Sequence, residues 1–132
     1  MIIFLHIDNM SILISKYIKW IERKGGKILF IDYSECKEID LISRIQEATD
    51  YIMQLNEKEL HTLIDARKSY ANNDVLESLK KSAKTIKPVV EKSAIIGMTE
   101  TQKIILKVVN MFSNLGLKLF DDLESAEEWL IS

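Results

Sequence analysis

Short β-branched apolar runs alternate along this chain with polar loops and with segments of helical spacing. Ile28-Leu29-Phe30-Ile31 stops at Asp32-Tyr33-Ser34, Leu63-Ile64 at Asp65-Ala66-Arg67, and Ala94-Ile95-Ile96 at Gly97-Met98-Thr99. A helical pattern follows each stop. Strand then helix, repeated three times, predicts a parallel β/α layer whose working loops lie at the carboxyl ends of the strands.

From Asp40 to about Leu55, the residues Leu41, Ile42, Ile45, Ala48, Ile52 and Met53 fall on one stripe, the spacing of a helix with one buried face. A second helix is expected to begin near Asn72 to Asp74, where Asn and Asp side chains cap free amides. Val75, Leu76, Leu79, Ala83 and Ile86 form its apolar face, and Pro88 marks its end. Thr99-Glu100-Thr101-Gln102 has the form of a capping box. It opens a helix carrying Ile104, Ile105, Val108, Val109, Phe112 and Leu115 before Gly116 stops it. Asp121-Asp122-Leu123-Glu124 gives an acidic start to a short final helix, sealed to the core by Leu123, Ala126, Trp129 and Leu130.

Upstream of Gly25 the periodicity is ambiguous. Leu13, Ile14, Tyr17, Ile18 and Ile21 fit a helix, while Ile18, Trp20 and Glu22 fit strand alternation, which is the preferred reading. Arg23-Lys24-Gly25-Gly26-Lys27 then makes a hairpin turn joining a strand Lys16 to Glu22 with a strand Lys27 to Tyr33, the paired glycines supplying positive φ. The N-terminus is expected to add a further edge strand. If it does not, the Trp20 strand is free to pair across a homodimer.

The 132 residues, 47% hydrophobic, suit a single domain, 1–132, with one core. Four glycines, one proline and no low-complexity stretch leave no linker to divide it. A net charge of −2 argues against a general nucleic-acid or membrane-surface binder. The Met1 to Leu5 run is broken by His6 and Asp8 and is too short for a leader or a span. The single cysteine, Cys36, fits a reducing cytoplasm, and without a nearby histidine or metal spacing it reads as an inert thiol.

In a parallel layer Asp32-Tyr33-Ser34, Asp65 to Tyr70 and Gly97 to Glu100 meet at one rim. Helix starts there, with Arg67 and Lys68 beside them, suit an anion, although no glycine-rich phosphate motif is present and capping explains the loops more simply. Asp32 and Asp65 suggest a paired acid and base or a hard-cation site, against the commoner role of accepting hydrogen bonds from the next loop. His6 and His61 assemble no metal set, and His61 reads as a strand-face residue. Ser69, just ahead of a helix and near Arg67 and Lys68, is a candidate phosphorylation site. Lys80, Lys81, Lys84, Lys87 and Lys92 form a basic zone that stabilises a helix end or draws an acidic partner, and Trp20, Phe112 and Trp129 do not interleave with it as a base-stacking platform would.

The order of these segments resembles a known family. Lys27 to Ser34, Leu63-Ile64-Asp65 with Ser69 to Asn72, Lys92 to Thr99 with Gln102-Lys103, and Leu119-Phe120-Asp121 with Glu124 to Leu130 look like the SpoIIAA-like branch of the STAS/SEC14-type domains, over roughly residues 12 to 132. The resemblance implies an α/β fold with helices packed on a mostly parallel sheet and a strand or hairpin at its N-terminal edge. In the anti-sigma-factor antagonists of this class, a serine just after a strand aspartate is phosphorylated. Here Ala66 and Arg67 follow Asp65, and Ser69 is displaced within the loop. Lipid-binding members imply an apolar ligand, but no extra helical lid is apparent.

The expectation is a non-enzymatic, cytoplasmic regulatory or protein-interaction module without cofactor or metal. Its contact rim comprises Asp32, Tyr33, Asp65, Arg67, Ser69, Tyr70 and Thr99. The alternative is a carrier or sensor of a small anionic or lipid-like ligand, helped by Tyr33, Tyr70 and Met98. A hydrolase or transferase using Asp32 and Asp65 ranks third.

Overall fold

A computed structural model describes residues 10–23 and 25–132. Among the described residues six strands stand in sequence order in one mixed, mostly parallel sheet: β1 Met10–Leu13, β2 Ile18–Arg23, β3 Gly26–Asp32, β4 Leu60–Asp65, β5 Val90–Ile96 and β6 Lys118–Phe120. β1 to β3 pair antiparallel, and β3 to β6 pair parallel. The crossovers are α1 Glu38–Gln54, α2 Asn73–Ile86 and α3 Glu100–Ser113; α4 Leu123–Ile131 closes the chain.

Each crossover advances the sheet by one strand in the same direction, so right-handed connections put α1, α2 and α3 on one face. Leu29, Ile31, Ile64 and Ile95 meet these helices in the larger core. On the opposite face Ile28, Leu63, Ala94 and Ile96 are sealed by Ala126 and Leu130 of α4. Both faces of the central strands are therefore buried, which is why their sequences are continuous apolar runs rather than alternating ones. Each fully buried aliphatic side chain such as Leu63 contributes about 1.5–3 kcal/mol.

Polar groups inside the larger core are paired. Thr62 and Ser93, opposite each other on β4 and β5 and fully buried, share a 2.6 Å hydrogen bond. Thr49 of α1 and Ser82 of α2 are joined by another of 2.6 Å.

The hairpin is present, with Arg23 opposite Gly26. Only Gly25 of the glycine pair takes positive φ, at 102°, while Gly26 already belongs to β3. In the ambiguous stretch upstream of Gly25 strand wins over helix, as β2, and β1 covers its outer side. Of the two alternatives for that edge, the covering N-terminal strand is the one present: β2 is internal, and Trp20 Nε1 donates to Tyr51 Oη of α1 at 2.8 Å. The Met1 to Leu5 run and His6 lie outside the described residues.

Three further expectations are corrected at helix ends and faces. α3 ends at Ser113 with Asn114 in the left-handed region (φ 59°), so Asn114 rather than Gly116 terminates it, and Leu115 lies beyond the helix. The buried side of α3 is formed by Leu106, Val109 and Ser113, leaving Ile104, Val108 and Phe112 exposed. α1 begins at Glu38, two residues earlier than expected, and Met53 faces outward.

Candidate functional site

The parallel register brings Asp32 of β3 opposite Asp65 of β4, and Asp65 opposite Ile96 of β5, at one end of the sheet. The ladder continues into the loops: Tyr33 N–H donates to Asp65 O, Ala66 N–H to Ile96 O and Glu35 N–H to Arg67 O, each at 2.9 Å. The β3, β4 and β5 loops are thereby tied into one surface.

Within that surface the aspartates are acceptors. Asp32 Oδ1 receives the Ser34 N–H at 2.8 Å and the Ser34 hydroxyl at 2.5 Å, a turn closed by its own side chain. Asp65, 3% exposed, receives the Arg67 N–H at 3.0 Å and the Arg67 guanidinium at 2.7 Å to Oδ2 and 3.0 Å to Oδ1. These bonds to Asp65 push the Arg67 guanidinium further up from its already high range. Arg44 donates to the carbonyls of Asp32 and Ser34, both at 3.2 Å, and its guanidinium stacks 3.5 Å from the Tyr17 ring.

The helix starts at the rim are also occupied. Val75 N–H donates to Asn72 Oδ1, and Thr99 with Gln102 closes both halves of a capping box. Gln102 Nε2 also donates to Ser69 O at 2.8 Å, coupling the start of α3 to the β4–α2 loop. α1 opens with Glu38 and Asp40 in its first turn, which disfavours a bound anion there. Ser69 is half-buried, and its hydroxyl donates to Ala66 O at 2.8 Å.

Tyr33 and Cys36 lie beneath the rim instead of on it, at 6% and 2% exposure. Burial raises the pKa of both, with Cys36 and Glu47 adding to the effect on Tyr33. Arg67 and Thr99 face solvent, as does Tyr70 at 58% exposure, and Asp32 is half-buried. Sequence reasoning missed Ile39, which is 82% exposed at the start of α1 and shares a shallow surface depression with Lys37 and Tyr70. An isoleucine displaced from the stripe of Leu41, Ile45 and Ile52 was the available signal. It also missed Arg44, and the bond from Gln102 to the Ser69 carbonyl beyond its capping role, because both depend on contacts between elements.

Below the rim, between the sheet and α1 to α3, lies a mostly apolar cavity of about 60 Å³, bordered by Tyr33, Thr62, Ala66, Val75, Met98 and Leu106. His61 pairs with Glu91 at 2.9 Å on the strand face. Among the described residues no group of three His, Cys, Asp or Glu side chains could hold a metal, and no helix is long and apolar enough to cross a membrane.

A mixed sheet with three crossover helices on one face and a closing helix on the other defines an α/β domain of the SpoIIAA type. The SpoIIAA-like family model matches residues 28–131, and the chain belongs to that family. Among solved structures it is similar to an uncharacterized protein of the DUF3478 family from Shewanella loihica PV-4, which has a SpoIIAA-like fold. The TM-score is 0.64 at 20% identity, over 86% of this chain and 91% of that one. No curated protein matches the sequence.

Proposed function

We propose that this protein is a non-enzymatic, cytoplasmic regulatory module that binds a protein partner through the carboxyl rim of its sheet. The observation that carries the reading is the engagement of the rim's reactive groups with one another. Asp32, Asp65, Ser69 and Thr99 are held by Ser34, Arg67, Ala66 and Gln102, while Ile39 and Tyr70 stand exposed beside them. An aromatic and an aliphatic anchor within a polar, rigid surround is the composition of a protein contact, and Asp65, held on both carboxylate oxygens by Arg67, offers no free base. Phosphorylation of Ser69 would break its bond to Ala66 O and disturb the Gln102 link, giving the rim a switch.

Affinity purification of the tagged protein from the cells that produce it tests this reading. Ile39→Asp and Tyr70→Ala should each remove a partner that wild type and Lys58→Ala retain, all four being equally folded by circular dichroism. A partner set unchanged by both rim substitutions would reject the rim.

The carrier reading has one observation in its favour, the apolar cavity under the rim. At about 60 Å³ it is well below the ~300 Å³ at which drug-sized ligand pockets begin, so a lipid-like occupant requires the helices to part from the sheet. Native mass spectrometry before and after denaturation separates the two: a noncovalent adduct lost on denaturation favours the carrier.

A further inference from the structure

The outer side of α3 carries Ile104, Val108 and Met111 at 66%, 37% and 77% exposure, with Phe112 at 45% beside them. Their spacing of i, i+4 and i+7 makes a continuous stripe about 10 Å long, on the opposite side of the helix from Leu106, Val109 and Ser113. The helix is thus apolar on two sides, and only one of them has the sheet to cover it. An apolar stripe of this kind marks an interaction surface.

Most of the charges around it are lysines. Lys103 and Lys107 run along α3 itself, and on neighbouring α2 the ammonium groups of Lys80 and Lys84 lie 4.6 and 5.0 Å from the Phe112 ring centroid. Between Glu77 and Glu91 the chain has no acidic residue, and between Glu100 and Asp121 it has none either. Glu77 and Glu100 pair with Lys80 and Lys103, at 3.3 and 2.8 Å. Among the described residues Lys84 and Lys107 have no carboxylate within ion-pair distance. The chain as a whole is acidic, with Glu124, Glu127 and Glu128 carried by α4 at the other face of the sheet, while Asp121, just past β6, lies near Lys103, so of these lysines the ones without an acidic neighbour among the described residues are Lys84 and Lys107.

We propose that the α2–α3 face is a second docking surface, whose occupant is an acidic amphipathic helix of a partner protein. Its apolar residues at i, i+3/4 and i+7 would lie along Ile104, Val108 and Met111, and its flanking carboxylates would meet Lys84 and Lys107. Helix-to-helix packing along the stripe supplies the geometry, and the lysines supply the selectivity. A second copy laid stripe to stripe would bring Lys84 and Lys107 of both chains together, with Glu77 and Glu100 already engaged by Lys80 and Lys103. Self-association is therefore disfavoured on this face.

A synthetic helical peptide with Leu at the first and fourth positions of each heptad and Glu at the flanking positions tests this, by fluorescence anisotropy against the intact protein. Saturable binding is expected, weakening with added salt, falling roughly tenfold or more in Val108→Asp, and unaffected by Tyr70→Ala at the rim. A Lys84→Glu/Lys107→Glu variant should reverse the preference, binding a peptide with Lys in place of Glu; a misfolded variant would bind neither. Equal binding of the Glu and Lys peptides, or none, overturns the proposal. So does Val108-dependent sedimentation with phosphatidylserine vesicles in the absence of peptide binding, or a dimer in analytical ultracentrifugation that Val108→Asp dissociates.

Discussion

Gly97, just past the end of β5, lies so close to the β4–α2 loop that a Cβ in its place would stand 2.7 Å from the Arg67 backbone nitrogen and 2.8 Å from its Cα. Its φ of 87° is also one that side-chain-bearing residues rarely adopt. Close approach and backbone conformation both require glycine, and the contact holds two of the three rim loops together.

Gly97→Ala should destabilise the fold by about 2–5 kcal/mol, combining the cost of a strained φ with that of overpacking against backbone. Urea denaturation of the two proteins measures this. A loss below about 1 kcal/mol would mean that the Arg67 loop moves aside freely.

The Thr62 and Ser93 hydroxyls should behave as a unit. Thr62→Val leaves the Ser93 hydroxyl buried without its 2.6 Å partner and should cost about 1–3 kcal/mol. Thr62→Val/Ser93→Ala removes both polar groups and should cost less than the sum of the single changes. A double-mutant cycle by chemical denaturation measures the coupling, and strict additivity would show that the bond contributes nothing.

Cys36 should react slowly with a thiol reagent in the native state and rapidly once unfolded, because burial both shields the sulfur and raises its pKa. A group whose pKa is raised by folding contributes stability that is fully present below its unfolded value, about 8.5 for Cys and 10 for Tyr, and lost as pH rises through the folded one. Cys36 and buried Tyr33 together predict a decline in stability on the alkaline side. Labelling kinetics and alkaline thermal melts check the two halves separately, with Cys36→Ser and Tyr33→Phe as comparisons.

Asp122 caps α4, and the Ser125 backbone N–H, at 2.7 Å from its carboxylate, holds its pKa below the ordinary value. A depressed carboxylate contributes stability at pH above its unfolded pKa of about 3.9 and loses it as pH falls through the folded value. Asp122→Ala should therefore be less stable than wild type at neutral pH, and the difference should shrink as pH is lowered below about 4. Melting curves of both proteins across that range show whether it does.

Elements whose signals are local were legible in the chain. The three strand-to-loop transitions, the Asn72 cap, the Thr99-Gln102 capping box and the Asp122 start stand where their side chains dictate, because each depends on residues within a turn of one another. The rim followed, since parallel strands that end in Asp32, Asp65 and Ile96 place their loops together. Which rim residues face outward was not legible. Tyr33 turns under the rim because strand alternation carries it to the same face as Leu29 and Ile31, whereas Ile39 is exposed because α1 begins two residues before its apolar stripe would suggest.

The sequence by itself determined the α/β class, three of the four parallel strands with the helices that follow them, and most helix starts, because these arise from periodicity and capping over short stretches, whereas β6, three residues long, is too short to carry a period. Only the tertiary structure decided which apolar side of α3 meets the sheet. Ile104, Val108 and Met111 are as hydrophobic as the residues facing inward, and periodicity reports that a side is apolar without reporting what lies against it. The same is true of Gly97 and Arg67, thirty positions apart and brought into contact by a crossover whose length and handedness no local pattern records.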